Sequence, residues 1–132
     1  MKNRPLFAVL ALLSVALMTS TYAAQAKPAA GGQKPAAASP QSVENGAALY
    51  KRHCVMCHGA AGQGDGPAAK TLKGKLPSLA DKAMMSKLTD EQIHETVTNG
   101  KKTEIGNMPA LAKRLKPEEI TDVVNFVRTL AK

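Results

Sequence analysis

The stretch GAALYKRHCVMCHG, residues 46–59, decides the fold because a helical face leads directly into the two cysteines of the chain. The residues of that face recur at helical spacing; they are Gly46, Leu49, Tyr50 and His53. We therefore predict a helix over residues 43–53, with Ser42 as its N-cap. Because a glycine inside a helix costs up to about 1 kcal/mol relative to alanine, Gly46 indicates the close approach of another helix.

The cysteines belong to the motif Cys54-Val55-Met56-Cys57-His58. The pattern Cys-x-x-Cys-His is typical of covalent attachment of a c-type haem. Residues three and four apart share a helical face, so both thiols can reach the vinyl groups on one edge of a porphyrin while the histidine reaches the iron. The motif therefore predicts one haem c, linked through Cys54 and Cys57, with His58 as an axial iron ligand.

Three other uses of the two cysteines stay open. A redox disulfide of the thioredoxin type normally accompanies a strand–helix unit, which this sequence does not predict. A zinc or copper site with His53 and His58 would lack the second pair of ligands that such sites use. The third alternative is a plain structural disulfide.

Length and composition indicate one ordinary globular domain. The chain has 132 residues, of which 44% are hydrophobic and 21% charged, values typical of a single folded unit. Two cysteines are too few for a disulfide scaffold. Despite a net charge of +8, only 3% of the residues are aromatic, and proteins that stack nucleic-acid bases need aromatic platforms. We therefore expect no nucleic-acid partner.

Residues 1–26 have the pattern of a secretory signal peptide. Lys2 and Arg4 precede an apolar run over residues 6–18, and the Ala-Gln-Ala of residues 24–26 suits a signal peptidase. The run is shorter than the roughly 20 residues that span a bilayer. We expect export and no stable membrane insertion after cleavage, with an uncleaved membrane anchor as the alternative.

A linker and a small domain follow the signal peptide. Residues 27–42, KPAAGGQKPAAASPQS, contain no apolar side chain larger than alanine, and such a segment buries too little surface to offset its ordering entropy. The predicted domain covers residues 43–132. The stability of a domain of that size is marginal on hydrophobic burial alone, so such a domain usually needs a further stabilising element such as a cofactor.

Two further helices complete the predicted domain. One begins at Thr89, which forms a capping-box pattern with Gln92, and ends at Asn99-Gly100. The other begins at Pro117. Its apolar stripe comprises Ile120, Val123, Val124 and Val127. Since no segment alternates as a strand, we predict an all-α domain of three main helices and long loops.

In this order the features resemble a class I, monohaem c-type cytochrome of the bacterial, periplasmic kind over residues 43–130. The matches are Gly46, Tyr50, the attachment motif with Gly59, Asn99-Gly100, Met108-Pro109 and the final helix. The resemblance implies the small cytochrome c fold, in which Gly46 and Tyr50 of the first helix meet Phe126 of the last. It also implies an electron carrier of the periplasm rather than an enzyme.

The resemblance assigns the sixth iron ligand to Met108, which is followed by Pro109. Met84 and Met85 stay as alternatives, although methionine more often fills gaps in a core. Met56, between the two cysteines, cannot reach the opposite face of the haem. With His58 and Met108 as ligands the iron would have no free position, whereas an open iron would favour a peroxidase-like enzyme.

The resemblance also implies that the ring of His58 donates its second N–H to the carbonyl of a proline. The candidates are Pro67 and Pro77, and Pro77-Ser78-Leu79 matches the Pro-x-Leu pattern of the family better. We therefore predict Pro77 as the acceptor. His53 and His94 are expected to be ordinary residues rather than ligands.

Basic residues are concentrated in the loops on either side of the second helix. They are Lys70, Lys73, Lys75, Lys82, Lys87, Lys101, Lys102, Lys113 and Arg114. They are either a plain solvated surface or a ring that steers an acidic redox partner to the haem edge. The resemblance implies a protein that shuttles single electrons between redox enzymes, and we expect it to be a monomer. A haem peroxidase-like protein and a thiol–disulfide redox protein are the alternatives.

Overall fold

The described chain begins and ends with a long helix. The computed structural model describes residues 38–132, so the predicted signal peptide and most of the predicted linker lie outside the described residues. The elements are α1 (Pro40–His53), α2 (Val55–His58), a 3₁₀ helix (Pro67–Thr71), α3 (Lys82–Met85), α4 (Asp90–Asn99), β1 (Lys101–Lys102), β2 (Asn107–Met108) and α5 (Pro117–Leu130). The prediction of a small, mainly helical domain is confirmed. Within residues 38–132, no helix is both long and apolar enough to cross a membrane.

Helix α1 begins at Pro40, earlier than the predicted start at residue 43. Its N-cap is Ser39 rather than Ser42, and the Ser39 side chain accepts a hydrogen bond of 3.1 Å from the Ser42 amide. Proline suits the first position of a helix because its fixed φ is helical and its missing N–H would have no partner there. Residues 40–42, placed in the linker by composition, are therefore helical.

The side chain of Ser42 makes a tertiary contact in place of the predicted cap. Its hydroxyl donates to the carboxylate of Asp122 in α5. The amide of Asn125, also in α5, donates back to the Ser42 hydroxyl over 2.8 Å. Asn125 is 7% exposed, and a polar group so buried needs such a partner. These contacts fix the start of α1 against α5.

Helices α1 and α5 cross at Gly46, as the sequence predicts. A Cβ placed on Gly46 would lie 2.8 Å from the Cβ of Phe126 and closer still to the carbonyl of Asp122. One turn further along α1, the rings of Tyr50 and Phe126 pack with centroids 5.2 Å apart and planes inclined by 54°. Such tilted contacts are favourable for aromatic pairs. The close approach explains the glycine.

Helices α4 and α5 start as predicted. Both hydrogen bonds of the capping box are present at α4, between Thr89 and Gln92. In α5, the predicted apolar stripe is buried. With residues of the other helices it forms the core, which comprises Tyr50, Cys54, Met85, Ile93, Val97, Leu111, Leu115, Ile120, Val123, Val124 and Val127.

A short antiparallel hairpin follows α4, although no strand is predicted. Lys101 pairs with Met108, and Lys102 pairs with Asn107. Strands of two residues are too short to show an alternating pattern. Gly100 begins the hairpin with a φ of +72°, and a Cβ there would lie 2.7 Å from the amide nitrogen of Ala110, so only glycine fits without strain.

Replacing Gly46 by alanine tests the crossing of α1 and α5. We expect Gly46→Ala to lower the free energy of unfolding by about 3 kcal/mol, since an added methyl group in a tight contact forces the backbones apart. Chemical denaturation of the holoprotein measures it. The control is Ala48→Gly on the exposed side of α1, which should cost only about 1 kcal/mol. A stabilised Gly46→Ala variant would contradict the crossing.

Candidate haem-binding site

A cavity of about 620 Å³ lies beside the cysteine motif. Every α-helix, both strands of the hairpin and the loop over residues 72–79 contribute to its lining. Most of these side chains are apolar, and the volume falls within the range of about 300–1,000 Å³ that is usual for ligand sites. The cavity can therefore hold one large, flat, apolar group.

The cysteine motif forms the turn of helix at the edge of this cavity. Cys54 lies between α1 and α2, and its carbonyl accepts hydrogen bonds from the amides of Cys57, at 3.1 Å, and His58, at 2.9 Å. All three residues line the cavity. Met56 does not line it and is 60% exposed. The shared face predicted from the spacing is therefore present.

Both thiols are free in this structure. Burial, followed by the neighbouring Cys57, raises the pKa of the Cys54 thiol to about 11. A reactive redox cysteine needs a depressed pKa, because the thiolate is the nucleophile. The raised pKa of Cys54 does not favour the thiolate that a thiol–disulfide oxidoreductase uses. Over residues 38–132, no three His, Cys, Asp or Glu side chains are grouped as a metal site would require.

The imidazole of His58 is half-buried, and its Nδ1 is a buried atom without a polar partner among the described residues. This burial lowers the pKa of the ring. The ring is therefore neutral near pH 7, the form that binds a metal ion. A buried ring nitrogen without a hydrogen-bond partner lowers the stability of the fold unless a bound group interacts with the ring. The cavity, the free thiols and this imidazole fit a covalent haem.

The proline predicted as hydrogen-bond acceptor lines the cavity. Pro77 belongs to the lining, whereas Pro67 begins the 3₁₀ helix and does not. Since Nδ1 of His58 has no partner in this structure, the hydrogen bond to the Pro77 carbonyl stays a prediction. Placement favours Pro77 over Pro67.

Three methionines line the cavity: Met84, Met85 and Met108. Met85 is 1% exposed and belongs to the core, the gap-filling use expected of methionine. Met108 lies in β2, where pairing with Lys101 fixes its backbone. A Cβ on Gly100 would collide with the carbonyl of Met108. Of the three candidates for the sixth ligand, Met108 is thus held by a hairpin.

Tyr50 supports the motif from α1. Its hydroxyl donates a hydrogen bond of 2.9 Å to the carbonyl of Gly59, directly after His58. Burial raises the pKa of Tyr50 well above its usual value, so the hydroxyl keeps its proton. Gly66 packs against the other side of α2, where a Cβ would meet the carbonyls of Val55 and Met56. The turn that carries the motif is therefore fixed from two sides.

Several lining residues could not be found from the sequence. Leu72, Leu76 and Ile105 lie in loops and form part of the wall. Loop residues follow no helical or strand period, so no pattern marks them. His53 also lines the cavity, whereas the ring of His94 lies 3.3 Å from the hydroxyl of Thr98.

The basic residues of the loops are all exposed. Lys101 is one of the lining residues at the cavity, and its neighbour Lys102 lies beside it in β1. One acidic residue, Glu95 of α4, also contributes to the lining. Glu104, between β1 and β2, is a second acidic residue near the hairpin. The loops on both sides of α4 nevertheless carry more basic than acidic residues.

Comparison with known proteins gives a consistent result. The family model for cytochrome c matches residues 43–131. Cytochrome c6 of Nostoc is 38% identical over 118 residues, covering 89% of this chain and 86% of that protein. Subunit CcoP of the cbb3-type cytochrome c oxidase of Rubrivivax gelatinosus is 33% identical over 96 residues, or 72% of this chain. The chain spans only 28% of the length of that subunit.

A solved structure shows the same arrangement. The c-type cytochrome KustC0563 superimposes with a TM-score of 0.55 at 31% identity, covering 66% of this chain and 98% of that protein. The family model covers nearly all of the described residues. The chain therefore belongs to the cytochrome c family and is an electron-transfer haem protein.

Proposed function

We propose that this protein is a periplasmic shuttle that carries single electrons between redox enzymes on one haem c. Cys54 and Cys57 would form the thioether links, and His58 and Met108 would ligate the iron. The observation that carries the proposal is the buried Nδ1 of His58, which has no hydrogen-bond partner among the described residues. His58 shares an apolar cavity with both cysteines and Met108.

Each residue has a separate task in this site. The bound haem supplies a centre that gains and loses one electron, and a His/Met ligand pair raises its potential. Tyr50, through its hydrogen bond to Gly59, fixes the turn from which His58 projects. Pairing with Lys101 fixes the backbone of Met108, which lines the same cavity. With both ligand positions filled, the protein has no place for peroxide, which favours a carrier over a peroxidase.

The apolar lining is the second contribution of the protein. Ile93, Val97, Val123 and Val127 are at most 8% exposed and face the cavity. A wall of this kind excludes water and lowers the local dielectric constant, which disfavours the more highly charged ferric state. The residues around the metal thus tune the potential in the same direction as the thioether ligand.

The partner is proposed to be a redox enzyme with an acidic docking surface. The exposed lysines of the hairpin and neighbouring loops give this side of the molecule a positive charge. Opposite charge steers encounter and raises the association rate without demanding a tight complex. A monomer released after each transfer suits such a role, and the signal-peptide pattern of residues 1–26 supports the periplasm as its location.

Replacing Met108 tests the ligand assignment. We expect Met108→Ala to lower the midpoint potential by on the order of 0.1 V, a fraction of the roughly 0.8 V that axial ligands span. We also expect ferric Met108→Ala to bind cyanide faster than the wild type. Potentiometric titration and absorption spectroscopy measure both.

The matched control is Met56→Ala, because Met56 is exposed and lies outside the cavity. It should leave both properties unchanged. If Met84→Ala lowers the potential and Met108→Ala does not, Met84 is the sixth ligand and the assignment to Met108 is wrong.

Charge reversal in the hairpin tests the docking surface. We expect Lys101→Glu together with Lys102→Glu to slow electron transfer to a small acidic redox protein about tenfold or more at low salt. The difference should shrink as the ionic strength rises past about 0.5 M, where charges are screened within a few ångströms. Stopped-flow mixing measures the rate. Lys51→Glu, on the exposed side of α1, is the control; equal rates in all three proteins would contradict this docking surface.

A further inference from the structure

Arg128 of α5 joins three separate parts of the chain. Its Nε donates to the Asp90 carboxylate over 2.6 Å, the only ion pair among the described residues. Its two terminal nitrogens donate to backbone carbonyls, Nη1 to Met85 over 2.7 Å and Nη2 to Leu88 over 2.6 Å. One planar guanidinium therefore connects the last helix to the end of α3, the turn after it and the start of α4.

These carbonyls find few partners within their own segment. Met85 ends α3, a helix of four residues, and the last carbonyls of a helix have no donor within it. The Met85 carbonyl accepts one local hydrogen bond, of 3.3 Å, from the Leu88 amide. A positive charge also suits the C-terminal end of a helix and the carbonyls near it. Arg128 supplies hydrogen bonds and charge together, so it acts as a cap provided by another helix.

The segment that Arg128 holds is a wall of the haem cavity. Met84, Met85 and Leu88 all contribute side chains to the lining. Met85 is fully buried, whereas Leu88 is 36% exposed and so lies between the cavity and solvent. The hydrogen bonds of the segment are otherwise local turns, from the amides of Ser86, Lys87 and Leu88. Nothing else among the described hydrogen bonds ties residues 84–88 to α5.

We propose that Arg128 is a positioning residue that holds the Met85–Leu88 wall closed over the haem. The proposal rests on the proposed function, because the wall matters only if the cavity holds the haem. Arg128 does not touch the cavity itself, since it is not among the lining residues. It acts through the backbone of Met85 and Leu88, and it thereby controls how readily water and small ligands reach the iron.

Arginine suits this position because three of its nitrogens each donate to a different acceptor. A lysine ammonium is a single point charge, so it cannot reproduce the fixed planar arrangement of donors in a guanidinium. The side chains of Arg128 and Asp90 are 30% and 33% exposed, so solvent partly screens their ion pair. The two hydrogen bonds to carbonyls should therefore matter more than the ion pair. Asp90→Asn, which keeps an acceptor oxygen, should have the smaller effect.

The test measures the opening of the wall with imidazole as the probe. Imidazole added to the ferric holoprotein binds iron only when the crevice opens and the sixth ligand leaves. We expect Arg128→Gln to raise the binding rate about tenfold, as expected for the loss of hydrogen bonds from a charged donor. Arg128→Lys should show most of this increase and Asp90→Asn less. The midpoint potential of Arg128→Gln should fall, because water then stabilises the ferric state.

The matched control is Arg52→Lys, since Arg52 is exposed on α1 and makes no side-chain hydrogen bond among the described residues. It should bind imidazole at the wild-type rate. If Arg128→Gln changes only the free energy of unfolding and leaves the imidazole rate and the potential at their control values, Arg128 is purely structural and the proposal is overturned.

Hydrogen exchange separates this proposal from the ligand assignment. In the Arg128→Gln holoprotein the amides of Ser86, Lys87 and Leu88 should exchange faster, while those of Val123 and Val124 in α5 stay protected. If wild-type protein binds imidazole at once, the iron has an open position and the assignment of Met108 fails. The exchange result then decides on Arg128 alone: unchanged protection at residues 86–88 overturns the proposal, and a local loss supports it.

Discussion

The fold depends on a cavity that the chain does not fill with its own side chains. About 620 Å³ lies beside the cysteine motif, in a domain whose described residues include only two aromatic side chains, Tyr50 and Phe126. A domain of this size is marginal without a cofactor or another staple. Helices, hairpin and loops surround the cavity, and a covalently attached haem supplies the apolar body around which they pack.

The parts of the fold that could be predicted from the sequence are those marked by a short sequence signal, such as a helix cap or a glycine inside a helix. The capping box at Thr89 and the proline at residue 117 each mark a helix start within a few residues, so α4 and α5 begin where expected. Gly46 predicts a close helix contact because a mid-helix glycine has a cost. The predicted start of α1 is wrong. Serine is a favoured N-cap residue, but the side chain of Ser42 instead contacts Asp122 on α5.

The candidate site likewise has residues that the sequence predicts and residues that only the structure reveals. Cys54, Cys57 and His58 follow from a motif whose spacing has a geometric reason, and the structure brings them together at the cavity. Other parts of the site depend on contacts between residues far apart in the chain. They are the loop walls at Leu72 and Ile105, the hairpin that contains Met108 and the cap that Arg128 provides to α3. No local pattern encodes such contacts, so they become visible only in three dimensions.

The mass of the intact mature protein tests the central claim most directly. Protein matured in a cell that attaches haem should be measured by mass spectrometry in a denaturing solvent, which removes any group held by noncovalent forces. The account predicts the mass of the polypeptide plus one haem, with Cys54 and Cys57 both carrying the links. A mass equal to that of the polypeptide alone would contradict it.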